Sequence, residues 1–169
     1  MSAPSCTIRF GRPDDVPTIF GLIKGLAEYE RLSDDVVGNE GLLREHLFGA
    51  RPYCAVLLAE AGGKAVGFAL FFHNYSTFLT RPGIYLEDLF VLPEERGRGY
   101  GKALLAALGR LAVERGCDRL EWSVLDWNEP SIQFYRSLGA VGLDEWTVNR
   151  VTGAALEQLA SIAPPVIGA

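Results

Sequence analysis

Cysteine and histidine are scarce in this sequence, and basic clusters are missing. The 169 residues include three cysteines and two histidines, too few and too widely spaced for a Cys/His metal site. Isolated cysteines in odd number are typical of reduced thiols, so we expect a cytoplasmic protein that binds no metal. The net charge is −5 and no run of Lys and Arg forms a basic face, which argues against nucleic acid as a partner.

Long apolar runs are also missing. No segment approaches the roughly 18 uninterrupted apolar residues of a membrane-spanning helix, and the first ten residues lack an apolar stretch behind a basic one. We therefore expect neither membrane insertion nor export. Apolar residues make up 49% and charged residues 22% of the chain, which predicts one globular domain over residues 1–169 rather than a disordered segment.

The hydrophobic pattern predicts a mixed α/β (α+β) sheet. Apolar positions at three- and four-residue intervals predict helices at residues 16–30, 42–48, 101–116 and 130–138, and a tail helix from residue 154 that frays at Pro164 and Pro165. Strands are predicted at residues 7–10, 54–61, 65–75, 84–92, 119–125, 140–143 and 146–151, with a loop at residues 76–83. The order is β-α-α-β-β-β-α-β-α-β-β, which by itself names no function.

The most informative segment lies between a predicted strand and a predicted helix. It reads Glu94-Glu95-Arg96-Gly97-Arg98-Gly99-Tyr100-Gly101-Lys102. Glycines at alternate positions let the backbone approach a ligand, and the start of the next helix presents unpaired N–H groups with partial positive charge. The segment therefore fits a diphosphate.

Three other interpretations of this loop compete. A P-loop requires GxxxxGK followed by Ser or Thr, whereas Gly97 and Gly101 are one residue too close and Ala103 follows the lysine. A dinucleotide site requires GxGxxG in the first βα unit, and the spacing here is GxGxG. A glycine-rich turn without a ligand also stays open, although three glycines and two arginines are more than a turn needs.

Several motifs in the same order resemble the GNAT acetyltransferases. Residues 96–101 (RGRGYG) are similar to that family's R/Q-x-x-G-x-G/A loop, whose amides hold the pyrophosphate of acetyl-CoA. Residues 26–30 (LAEYE), 85–91 (YLEDLFV), 124–128 (VLDWN) and 134–135 (FY) resemble the diamine (spermidine/spermine) and thialysine N-ε-acetyltransferases. The resemblance spans about residues 8–160.

This resemblance implies both a fold and an activity. The fold is the GNAT fold, a mixed, mostly antiparallel sheet of about seven strands with helices on both faces. The activity is direct transfer of the acetyl group of acetyl-CoA, without a metal, to a primary amine of a small molecule such as a diamine, a polyamine or a thialysine-like amino acid. Family members are homodimers, so a homodimer is expected.

Two residues are expected to carry the proton transfers. A primary amine has a pKa near 10.4, so only about one molecule in a few thousand is uncharged at pH 7 and the enzyme has to accept a proton. Glu87 matches the family's proposed base, which acts through water. Strand alternation places it among core positions with Leu89 and Val91, which predicts burial and a raised pKa; an edge-exposed structural carboxylate is the alternative. Tyr135 matches the general acid beside the cofactor sulfur, and a ring that only closes a core is its alternative.

The resemblance also implies a cofactor site. The backbone of residues 89–91 would receive the pantetheine arm as an added strand. For Asn128, helix capping is the alternative interpretation. The full expected set is Leu89, Phe90, Val91, Arg96, Gly97, Arg98, Gly99, Tyr100, Gly101, Lys102, Asn128, Glu129, Ser131 and Tyr135.

The amine is expected to contact residues from several segments, whose carboxylates would hold an ammonium group or, alternatively, be merely solvated. They are Tyr29, Glu30, Ser76, Thr77, Glu87 and Asp126. Ser76 and Thr77 stand where polyamine-specific members carry an acidic residue, which favours a short amine with an amino-acid-like end. His46 and His73 are expected to be packing or surface residues rather than bases.

Two other functions compete with a small-amine acetyltransferase. A non-catalytic acyl-CoA-binding module would keep the glycine loop, but the presence of both Glu87 and Tyr135 disfavours it. A protein lysine or N-terminal acetyltransferase needs an open groove for a peptide. The predicted loop at residues 76–83 and helix at residues 42–48 are instead interpreted as a lid.

Overall fold

The computed structural model describes residues 6–164 and 166–168 and divides into two compact units, one ending at Ser123 and one starting at Val124. The first unit holds strands β1 Thr7–Phe10, β2 Ala55–Ala61, β3 Lys64–Ser76, β4 Arg81–Val91 and β5 Leu120–Trp122, with helices α1 Val16–Glu30, α2 Glu40–Phe48 and α3 Tyr100–Glu114. The second unit holds helices α4 Glu129–Ser137 and α5 Gly153–Ser161. No described helix is long and apolar enough to cross a membrane.

The five strands form one sheet in the order β1-β2-β3-β4-β5. Neighbouring strands are antiparallel except β4 and β5, which are parallel. The β2–β3 hairpin follows from Gly62 and Gly63, whose φ angles of +57° and +76° suit a two-residue hairpin turn that few other residues allow. The predicted mixed, mostly antiparallel sheet is therefore confirmed.

Helices cover both faces of this sheet. Leu70 packs with the α1 and α2 side chains in the main apolar cluster, whereas the ring of its neighbour Phe71 lies beside Arg115, which follows α3. Successive residues of a strand point to opposite faces. The buried stripe Leu104, Leu105 and Leu108 of α3 therefore packs on the face opposite α1.

Two predicted strands are absent from the second unit. Residues 140–143 and 146–151 form no strand, and Val141, Trp146 and Val148 are 84%, 78% and 81% exposed. Local alternation of apolar residues predicts a strand, but a strand also needs a neighbour to pair with. The described sheet therefore has five strands rather than about seven. The tail helix is present as α5, and Pro165 lies outside the described residues.

The predicted lid between the third and fourth strands is also wrong. β3 continues to Ser76 and β4 begins at Arg81, which pairs with it. Only residues 77–80 remain as a tight turn, in which Thr80 has a φ of +54°. The buried Ser76 hydroxyl accepts a hydrogen bond from the Leu79 N–H at 3.3 Å and so supports this turn.

Two glycines one turn apart in α1 provide a matched test of its packing. A Cβ at Gly21 would meet nothing within 4 Å, whereas a Cβ at Gly25 would lie 3.0 Å from the Phe90 ring. Gly21→Ala is expected to stabilise the protein by about 0.5–1 kcal/mol through helix propensity. Gly25→Ala has to displace a buried ring and is expected to cost about 1–2 kcal/mol instead. Urea unfolding of both variants measures this difference; equal stabilities would contradict the close α1–β4 contact.

Candidate active site

The glycine loop lies between β4 and α3, after a short 3-10 turn at Pro93–Glu95. Gly97 and Gly99 have φ angles of +78° and +86°, which other residues rarely adopt. Gly99 is the N-cap of α3, and no side chain in the described part of the chain caps this helix. The first N–H groups of α3 are therefore left for a ligand, where the helix dipole favours an anion.

The side chains of the loop have different roles. Tyr100 is only 5% exposed and anchors the start of α3 in the core, so it contributes to a ligand site only through its backbone. Arg98 is exposed and pairs with Glu95 at 2.9 Å, and Lys102 is exposed. Arg96 Nε donates to the Val91 carbonyl at 3.1 Å. Three basic side chains therefore lie around a backbone site, and Glu95 balances the charge of Arg98.

The end of β4 is a free sheet edge. β5 pairs with β4 only over Ile84, Tyr85 and Leu86, and no described strand covers residues 87–91 on that side. Because Leu92 N–H donates to Val66 O at 2.9 Å and ladder bonds alternate, the polar groups of residues 89 and 91 face the free edge. Those of residue 90 face β3.

This edge separates the roles of the three predicted pantetheine residues. Leu89 and the N–H of Val91 are available to an added strand, while the Val91 carbonyl already accepts from Arg96. Phe90 is 3% exposed and its backbone belongs to the β3 ladder. Its backbone groups therefore face β3 rather than the free edge, and its side chain packs in the core.

Glu87 is the extra residue of a β-bulge. Leu70 pairs with Asp88 and Phe71 with Leu86, so Glu87 has no partner on β3. The bulge shifts the alternation, and Glu87 is exposed while Leu86 is buried. The expectation that Glu87 lies among core side chains is therefore wrong, because a period of two holds only without a bulge.

Asp88 is the half-buried carboxyl group that sequence reasoning missed. Burial raises its pKa to about 6, with further contributions from the negative charges of Glu87 and Glu30. Burial also raises the pKa of Glu30 at the end of α1. Three carboxyl groups thus interact electrostatically beside the free edge of β4. The clue in the sequence was the adjacent acidic pair in an otherwise apolar strand.

Cys54 lies near the same carboxyl groups. It immediately precedes β2 and packs partly against the main apolar cluster. Burial raises the pKa of its thiol, and the charge of Glu87 raises it further. Cys54 is therefore a neutral thiol at pH 7 and not a nucleophile.

Asp88 is predicted to make stability depend on pH. Its pKa is raised in the folded state, so the stabilisation from its protonated form is present below its ordinary pKa and lost as pH rises through about 6. Asp88→Asn is expected to stabilise the protein at pH 8 by up to about 3 kcal/mol, and to change stability little at pH 4. Urea unfolding at both pH values measures this, with the exposed Asp118 as the control position. Equal effects of Asp88→Asn at the two pH values would contradict it.

The remaining cofactor and acid candidates belong to the second unit. Asn128 is 5% exposed and its side-chain oxygen caps α4 by accepting from Ser131 N–H at 3.4 Å, as the capping interpretation predicts. Tyr135 is half-buried on α4, with its ring 5.4 Å from that of Phe134. Asp126 and Glu129 are exposed.

Two predicted amine-binding residues are far from Glu87 along the sheet. Ser76 pairs with Arg81, six residues before Glu87, which corresponds to roughly 20 Å of strand. Thr77 lies beyond it in the turn. The first unit therefore brings Glu30, Glu87 and Asp88 together but not Ser76 and Thr77.

Each of the two histidines lies beside a neighbouring side chain. His73 lies 3.5 Å from Arg115 Nη1, and burial, followed by the charge of Arg115, lowers its pKa. The His46 ring packs edge-on against Tyr53 with centroids 5.1 Å apart. Among residues 6–164 and 166–168, no group of His, Cys, Asp and Glu side chains is arranged to hold a metal ion.

Comparison with known proteins identifies the family. The model of the GNAT acetyltransferase family matches residues 24–140, which include the end of α1, the bulge and the glycine loop. The chain belongs to the GNAT family. It is therefore an acetyl-CoA-dependent N-acetyltransferase.

Individual GNAT relatives match over most of their length. The thialysine N-ε-acetyltransferase of Bos taurus is 40% identical over 164 residues, covering 90% of this chain and 96% of that protein. The L-ornithine N5-acetyltransferase of Arabidopsis thaliana is 34% identical, with 90% and 86% covered. The crystal structure of aminoglycoside N-acetyltransferase AAC(6')-Iy in complex with CoA superposes with a TM-score of 0.70 at 26% identity, covering 89% and 97%.

Proposed function

We propose that this enzyme acetylates a primary amine of a small molecule, and that a thialysine-like amino acid is preferred to a polyamine. The observation that carries the proposal is the group of carboxyls formed by Glu30, Glu87 and Asp88 beside the free edge of β4. A cationic amine would relieve the mutual repulsion of these carboxylates on binding. The similarity to thialysine N-ε-acetyltransferases supports the choice of substrate.

The residues present fit acetyl-CoA, which supplies an acetyl group activated as a thioester. The uncapped start of α3 and the glycines at positive φ fit its diphosphate. Arg98 and Lys102 add positive charge there. The free backbone groups of Leu89 and Val91 fit its extended pantetheine arm.

Glu87 and Tyr135 are proposed to move the protons. An ammonium group is not a nucleophile, so Glu87 accepts its proton, directly or through water. The exposed position of Glu87 on the bulge supports this role, because it lets the carboxylate reach solvent. The uncharged amine then attacks the thioester carbonyl and the carbon–sulfur bond breaks. Tyr135 donates its phenolic proton to the departing sulfur, and the phenolate recovers through solvent the second proton that the acetylated nitrogen loses. Asp126, Glu129 and Ser131 remain proposed contacts of the bound substrates.

A substrate screen tests the proposal. Acetyl-CoA consumption is measured with thialysine, lysine, ornithine, putrescine, spermidine and a lysine-containing peptide array. Turnover is expected with the amino acids above the polyamines. Binding of CoA without turnover of any amine would favour the non-catalytic module, and turnover of the peptides alone would favour a protein acetyltransferase.

We also propose that the enzyme is a cytoplasmic homodimer that binds neither nucleic acid nor membranes. The free thiols of all three cysteines support a reducing compartment. Tyr75, Phe78 and Leu79 at the β3–β4 turn are 56%, 100% and 60% exposed, which supports a covered surface in an assembly. If Ser76 and Thr77 contact the amine, a second copy would have to supply them. Sedimentation of a species of twice the 18.4 kDa chain mass is expected.

A further inference from the structure

Arg96 connects three elements of the first unit. Its guanidinium carbon lies 4.3 Å from the centre of the Tyr29 ring and 5.6 Å from that of Phe90. Its Nε donates to the Val91 carbonyl at 3.1 Å. One side chain at the start of the glycine loop therefore holds the end of α1 and the end of β4 together.

The contact with Tyr29 fixes the part of α1 that carries Glu30. The helix ends there, because Arg31 has a φ of +62° and turns the chain away. Backbone hydrogen bonds from the Arg31 and Leu32 N–H groups cap this last turn, and Tyr29 attaches it to the apolar cluster. A planar guanidinium can stack on a ring and donate within its plane at the same time, which an ammonium group cannot do.

We propose that Arg96 is a positioning residue for the amine, and not only a member of the acetyl-CoA loop. By stacking on the Tyr29 ring, Arg96 sets the distance between Glu30 and the β4 edge where Glu87 and Asp88 lie. The inference rests on the proposed function for the role of Glu30. It implies that the acetyl-CoA loop and the amine site share one rigid support.

Steady-state kinetics with thialysine test whether Arg96 positions the amine. Arg96→Gln is expected to raise the KM for thialysine about three- to tenfold, more than the KM for acetyl-CoA. Arg96→Lys keeps the charge but not the stacked, hydrogen-bonded geometry, and is expected to recover less than half of the loss. Lys24→Gln is the matched control, because the Lys24 ammonium group lies 4.6 Å over the Phe20 ring in a second cation–π contact on the same helix.

A double-mutant cycle distinguishes an effect of Arg96 through Tyr29 from a general loss of structure. If Arg96 acts through Tyr29, the double variant Arg96→Gln/Tyr29→Leu is expected to have the same thialysine KM as Tyr29→Leu alone. Additive effects, or an effect on acetyl-CoA alone, would overturn the proposal. Thermal unfolding of each variant confirms that the fold is kept.

Hydrogen exchange gives a second test that does not depend on turnover. The amides of residues 26–31 are expected to exchange faster in Arg96→Gln than in wild type, and at wild-type rates in Lys24→Gln. Unchanged exchange rates in Arg96→Gln would overturn the proposal that Arg96 holds the end of α1. If wild type acetylates no amine, the proposed function fails, while the exchange result still decides whether Arg96 holds the end of α1.

Discussion

Replacing Tyr135 by phenylalanine is expected to lower kcat for acetyl transfer by about 10²- to 10⁴-fold, the usual contribution of a general acid. The substitution removes only the hydroxyl, so the ring packing beside Phe134 is kept. Stopped and continuous assays of thiol release measure the loss, and the affinity for acetyl-CoA should change little.

Tyr53→Phe is the control for this substitution. Tyr53 is 76% exposed, and its ring contact with His46 survives the loss of the hydroxyl. Its kcat should equal that of wild type. A Tyr135→Phe enzyme within about threefold of wild type would mean that Tyr135 only closes a core, the alternative the sequence left open.

Replacing Glu87 by glutamine is expected to lower kcat/KM by about 10²-fold at pH 7. The deficit should shrink as pH approaches the amine's own pKa near 10.4, because the substrate then loses its proton without help. A pH profile of kcat/KM between 6 and 10 measures this, with Glu114→Gln on the exposed side of α3 as the control.

Asp88→Asn distinguishes the two adjacent carboxyl groups. If Asp88 rather than Glu87 accepted the proton, Asp88→Asn would show the larger, pH-dependent loss and Glu87→Gln a small one. We expect the reverse, with a large, pH-dependent loss in Glu87→Gln and a smaller one in Asp88→Asn. We also expect Asp88→Asn to be more stable than wild type at pH 8, because a half-buried charge is removed.

Regular elements were predictable because local chemistry and tertiary packing agree. Gly62 and Gly63 provide the two positive φ angles that a tight hairpin requires. The apolar stripe from Leu104 to Ala112 fixes the buried side of α3. The glycine loop was predictable because Gly97 and Gly99 occupy positions where the backbone has a positive φ.

Irregular features were not predictable from local patterns. The bulge at Glu87 depends on how β4 meets β3, so alternation along one strand assigned this residue to the wrong face. The raised pKa of Asp88 depends on burial and on Glu30, which is distant in sequence. Apolar and polar residues alternate over residues 146–151 as they do in a strand, but whether this segment pairs with a neighbouring strand depends on the tertiary structure.

The most direct test of the account is a crystal structure of the enzyme with CoA and thialysine. We predict the diphosphate on the backbone amides of residues 97–102, the pantetheine along the free edge at Leu89 and Val91, and the thialysine ε-nitrogen beside Glu87 and Asp88. A diphosphate bound elsewhere, or an amine away from these carboxyl groups, would contradict it.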